Sequence, residues 1–133
     1  MLMDQMEPPV AKLTLLLAAL FGATGVALGA LAAHGLKAKL AQNLLEAFKT
    51  GVHYQQVHAL ALLGIGLLAL HVGQSRALSV SASMMVVGIV FFSGSLYWLA
   101  LGGPRWLGPV TPLGGTLLIG AWIALAVAVL KIP

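Results

Sequence analysis

Long apolar runs dominate the chain, and the few charges between them cut it into segments. Charge-free stretches extend from Leu13 to Leu36, Thr50 to Ser75, Ala77 to Pro104 and Trp106 to Leu130. Each reaches the ~20 residues that span a ~30 Å hydrocarbon core at ~1.5 Å per residue. They are nearly continuous in Leu, Ala, Val and Gly and lack the period-two alternation of barrel strands, so the crossings are helical. The pattern predicts an all-α membrane protein, a four-transmembrane-helix bundle with spans over 12–34, 52–72, 77–101 and 110–131 in one integral membrane domain, 1–133.

The connection after the first span carries its own pattern. Leu36, Leu40, Leu44 and Phe48, with Ala41, Leu45 and Ala47, share one side of a helical wheel, and Lys39, Gln42, Asn43, Glu46 and Lys49 share the other. This predicts an amphipathic interfacial helix over 36–50, lying flat in the headgroup zone between helices one and two, with Gly35 and Gly51 as its corners. Arg76 marks a tight turn between the second and third spans. Gly102 to Pro109 forms a loop with Trp106 as an interfacial anchor, and Thr111-Pro112 reads as an N-cap followed by proline at the first helical position. Ala30-Leu31-Ala32 mimics a signal-peptide cleavage site. Asp4 and Glu7 with Lys12 as the only basic side chain before the run, and the length of that run, make the first segment a span instead.

Composition strengthens the membrane reading. Of 133 residues, 60% are hydrophobic and 8% charged, against roughly 25% charged in soluble domains; a water-soluble globule and a disordered chain are both excluded. The net charge of +4 comes from scattered residues, without the clustered basic face of a nucleic-acid binder. Lys12, Arg76 and Lys131 fall on the side of the termini and Lys37, Lys39, Lys49 and Arg105 on the other, a balance too even to orient the chain. The absence of cysteine removes disulfides and thiolate metal sites.

Lipid supplies no hydrophobic force between helices, so close packing needs small residues. Gly25 and Gly29 followed by Ala33 form one such stripe, and Gly120 with Ala124 and Ala128 another, with Gly114 and Gly115 near the start of the fourth span. These faces suit contacts within the bundle, with a second copy, or with a membrane protein partner.

Polar residues inside spans must find partners within the protein. His34 ends the first span, and Tyr54, Gln55 and His58 lie near the start of the second. Ser93, Ser95 and Tyr97 lie near the end of the third, and Thr111 opens the fourth. Alternating chain direction puts all of them in the half of the bilayer away from the termini, with His58, Ser93 and Ser95 each roughly 9 to 12 Å from a helix end. The expectation is a half-membrane polar pocket, capped by the flat helix and floored by apolar side chains.

Familiar chemistries fit it poorly. His53 and His58 are five apart, about 140° around a helix, so they cannot share a metal ion as an i,i+4 pair does; His34 with His58 is the remaining pairing. The acids Asp4, Glu7 and Glu46 lie outside the spans, so neither a carboxylate pair nor a Ser-His-Asp set is available. A proton-coupled exporter with a membrane carboxylate is excluded for the same reason. No metal, cofactor or catalytic activity is expected. The preferred function is a pocket that binds a small ligand or lipid headgroup or locks the bundle, the alternative a small channel or transporter acting as a homo-oligomer.

The same residues carry a resemblance. Ala27-Leu28-Gly29-Ala30, Ala33-His34-Gly35-Leu36 and Thr50-Gly51-Val52-His53-Tyr54-Gln55 with His58-Ala59-Leu60-Ala61-Leu62 resemble the first half of domain of unknown function 423, the transmembrane protein 256-like family. Phe92-Ser93-Gly94-Ser95-Leu96-Tyr97, Thr111-Pro112-Leu113-Gly114-Gly115 and Gly120-Ala121-Trp122 resemble its second half. The resemblance implies a four-helix protein of the bacterial inner membrane, without an established activity and with its termini in the cytoplasm. Lys37, Lys39 and Lys49 in the first connection depart from the family's charge pattern.

Overall fold

In a computed structural model, residues 9–133 are described; Asp4 and Glu7 lie outside them. Four long helices make up the described chain: α1 (Pro9–His34), α2 (Gln42–Val72), α3 (Arg76–Ala100) and α4 (Val110–Leu130), with a short 3₁₀ turn at Arg105–Leu107 before α4. All four are long and apolar enough to cross a membrane, and there is no strand among the described residues.

The predicted flat helix is absent. Residues 35–40 form turns, and α2 begins at Gln42 and continues unbroken through Gly51 to Val72. Its 31 residues extend roughly 46 Å at 1.5 Å per residue, well beyond a ~30 Å core. The amphipathic pattern is real, but protein satisfies it. Leu45 and Phe48 are buried with Ala32, Val52 and Ala100, and Leu36, Leu40 and Leu44 pack on this cluster, while Gln42, Asn43, Glu46 and Lys49 stay exposed. Gly35 does lie at a turn, its N–H returning to Leu31 O at 2.8 Å. Gly51 instead admits a ring: a Cβ there would stand 2.8 Å from Cε1 of Tyr97.

The other turns use local chemistry. The Ser75 hydroxyl caps α3 by accepting from the Leu78 N–H, and Gly73 turns the chain with φ +92°, which costs glycine little. The predicted Thr111 cap is corrected, since α4 starts at Val110 after Pro109 and places Thr111 inside the first turn. Pro112 is tolerated there because the first-turn N–H groups have no helical partner to lose.

The helices pack as a row of antiparallel neighbours, α1 on α2, α2 on α3 and α3 on α4, and α1 and α4 form no substantial contact. The expected bundle is therefore open at both flanks. Toward the termini, Leu62, Ile65, Leu78, Met85, Ile89 and Leu118 form an apolar core. The second, smaller cluster around Phe48 occupies the opposite end. Polar side chains lie between the two.

Candidate functional site

Gln55 is the central member of this polar band. It is buried on α2, one turn beyond Gly51, where α1 and α3 both approach. Its Nε2 donates to Phe21 O at 2.9 Å and to Thr24 Oγ1 at 2.8 Å on α1, and its Oε1 accepts from the Tyr97 hydroxyl at 2.7 Å on α3. The Phe21 carbonyl can only accept, which fixes the orientation of the amide. Thr24 passes its own proton to Leu20 O. One side chain thus ties three helices together.

Two serines extend the connections. Ser93 donates to Gly51 O at 2.7 Å, holding α3 against α2 where glycine lets the Tyr97 ring approach. Ser95 donates to Phe92 O at 2.9 Å and lies 2.5 Å from Thr111 Oγ1. Because the single Ser95 proton is committed to the carbonyl, Thr111 is the donor in that pair.

His58 bridges to the last helix. Its Nδ1 lies 2.7 Å from Tyr54 O, and its Nε2 accepts the indole N–H of Trp122 at 3.1 Å. A carbonyl on one side and an N–H on the other select the Nδ1–H tautomer. The α2 and α4 backbones stay apart, and between them opens a groove of about 490 Å³ walled by Tyr54, His58, Phe92 and Trp122. Tyr54 stacks beside His58 with centroids 5.9 Å apart and meets Phe92 at 4.4 Å, yet is 40% exposed.

The structure thus joins Gln55 to Tyr97, Ser95 to Thr111 and His58 to the Tyr54 carbonyl, while Ser93 bonds the Gly51 carbonyl and not another of these side chains. His34 stands apart. The register that sets Gly29 against Val52 and Gly25 against Gln55 leaves His34 exposed and roughly 16 Å along α2 from the level of His58. Its pairing with His58 is thereby ruled out, and no group of three or more metal-ligating side chains occurs among the described residues.

Among the glycines, Gly114 has no room for a Cβ against the backbone of Phe91 and Phe92, whereas Gly115 makes ordinary contact with the Phe92 ring. Gly25 and Gly29 admit α2 side chains, and Gly120 faces the mobile end of Met84.

Thr24, Trp122 and Ser81 were not among the sequence candidates. Ser81 donates to Ala121 O at 2.7 Å, deep in the terminal half. Thr24 and Trp122 could have been suspected as hydrogen-bonding groups within apolar spans, but only helix register reveals their partners.

Four apolar helices held by buried polar contacts define a small polytopic membrane protein. The chain belongs to the family described as protein of unknown function (DUF423), whose match covers residues 28–115. It is 39% identical over 120 residues to the UPF0382 membrane protein YwdK of Bacillus subtilis, covering 90% of this chain and 98% of that one. Identity is 45% over 112 residues to a UPF0382 membrane protein of Haemophilus influenzae, 84% and 89% of the two chains. With the UPF0382 inner membrane protein YgdD of Escherichia coli it is 35% over 125 residues, 91% and 92%. No solved structure matches the chain.

Proposed function

We propose that this is a non-enzymatic membrane protein whose polar band locks the helices and whose α2–α4 groove takes a small ligand or lipid headgroup. The observation that carries the reading is the division of labour between the two. Gln55, Ser93, Ser95, Tyr97 and Thr111 are spent on one another or on backbone carbonyls, while Tyr54, Phe92 and Trp122 line an opening. A Ser93–His58 dyad is not supported, because the serine proton goes to Gly51 O and both His58 nitrogens are engaged elsewhere.

The groove contains no charged side chain among its lining residues, which suits a neutral, partly aromatic or amphiphilic molecule entering from the lipid. Native mass spectrometry of protein extracted in its own lipid tests this. A bound mass that disappears in Trp122→Leu supports the groove, and bare protein under every extraction condition removes it. Conduction is the less favoured reading because the terminal half is filled by Leu62, Ile65, Met85 and Ile89, so a pore has to form between copies. Ion leak from proteoliposomes no greater than from empty vesicles would dismiss it.

Placement in a bacterial inner membrane with cytoplasmic termini completes the proposal. Its support is the naming of the Escherichia coli relative as an inner membrane protein and the family resemblance. Accessibility of single cysteines near Lys131 and Arg105, from each side of intact cells, tests the orientation.

A further inference from the structure

Gln55 and Gln56 are consecutive on α2, so their side chains leave the helix about 100° apart. Gln55 is fully committed. Gln56 takes no part in the hydrogen bonds that join the helices; it leans over α1, its Cγ 3.0 Å from a Cβ built on Gly25. Gln56 lines a second groove of about 490 Å³, between α1 and α2, whose floor is Ala18, Ala19, Gly22 and Ala59, and its amide nitrogen lies at the edge of that groove over Gly29, 3.7 Å from a Cβ built there. A Cβ on Gly22 would meet nothing within 4 Å. Val26 and Leu60, 65% and 70% exposed, also line this groove.

Trp98 meets the expected interfacial anchor Trp106 edge-on, with ring centroids 5.7 Å apart, and the pairing of Tyr54 with Phe92 puts Gln56 roughly 12 Å deeper than Trp98 along the helix axis, within the hydrocarbon. A primary amide left without a partner there costs several kcal/mol. Whatever covers this face has to offer it a donor and an acceptor at that depth.

We propose that the α1–α2 face is a homodimer interface in which Gln56 pairs with Gln56 of the partner subunit across a two-fold axis. The face is complementary to itself. An amide both donates and accepts, so it is its own best partner, and an isologous contact sets a patch against its copy. An axis normal to the membrane keeps the twin amides at equal depth. Leu60 supplies a knob and the Ala18–Gly22 hollow a hole on the same surface, as close helix packing in lipid requires. The interface uses none of the locking side chains, so it stands or falls separately from the proposed lock.

The lack of cysteine in the chain makes the test direct. Gln56→Cys and, as control, Ile119→Cys on the exposed face of α4 are reconstituted as full chains in liposomes and oxidised mildly. The proposal predicts on the order of tenfold more covalent dimer for Gln56→Cys, with a yield that survives dilution into excess lipid, because the thiols are held at high effective concentration. Equal yields, or a yield that falls in step with dilution, overturn it. Gln56→Leu, which leaves the lock intact, should sediment as a monomer in mild detergent at its normal melting temperature. A folded Gln56→Leu protein that stays dimeric, or a wild-type monomer carrying a small molecule in this groove, also overturns it.

Discussion

Trp122 on α4 donates its indole N–H to His58 Nε2 on α2 over 3.1 Å, spanning a gap that the two backbones leave open. That bond and the Ser95–Thr111 pair hold different helices at different depths: the first reaches from α4 to α2, the second fastens the start of α4 to α3. Trp122→Phe keeps most of the packing area and removes the donor. The expected loss is about 0.6–1.7 kcal/mol, the range for interhelical hydrogen bonds in membranes, read as a fall of a few degrees in melting temperature in bicelles. An unchanged melting temperature would show that the bond does not hold α4 to α2.

Gly114 and Gly115 are neighbours with opposite expected sensitivities. Alanine at 114 has to push α4 off the backbone of Phe91–Phe92, whereas alanine at 115 gains an ordinary contact. Gly114→Ala should cost about 1–3 kcal/mol, as overpacking does, with loss of folded yield, and Gly115→Ala should stay within about 0.5 kcal/mol of wild type. Gly120→Ala should also be tolerated, because the Met84 thioether can move aside. Thermal unfolding of the three variants side by side gives the ranking.

The continuity of α2 through Gly51 yields a sharp test. Proline at 51 would be compatible with a corner between two helices, but inside a continuous helix it deletes a hydrogen bond and clashes with the preceding turn, costing about 3 kcal/mol or more. Gly51→Pro should therefore fail to accumulate folded protein. Size-exclusion chromatography showing a normal monodisperse peak would restore the flat-helix arrangement.

These outcomes trace to what the chain reveals by itself. The four helices long and apolar enough to cross a membrane, and the polar side chains of His58, Ser93, Tyr97 and Thr111 within them, follow from hydropathy and spacing, which need no tertiary knowledge. The 36–50 segment misleads because an apolar helical face looks the same whether it meets lipid or Tyr97 and Ala100. Thr24 and Trp122 escape notice because their roles depend on which α1 and α4 turns lie opposite α2, a register set by packing at Gly25, Gly29 and Gly114. His34 was grouped by its residue type, yet it is exposed and bonds to none of the others.

The central claim is that Gln55 joins α1, α2 and α3 through a satisfied amide. The most direct measurement is a double-mutant cycle of Gln55→Leu and Tyr97→Phe on unfolding free energy in bicelles, since the two side chains share a 2.7 Å hydrogen bond. A coupling of about 0.6–1.7 kcal/mol, with Gln55→Leu the costlier single change because it also abandons Phe21 O and Thr24, is the predicted result. Strictly additive effects, with no coupling beyond error, would contradict it.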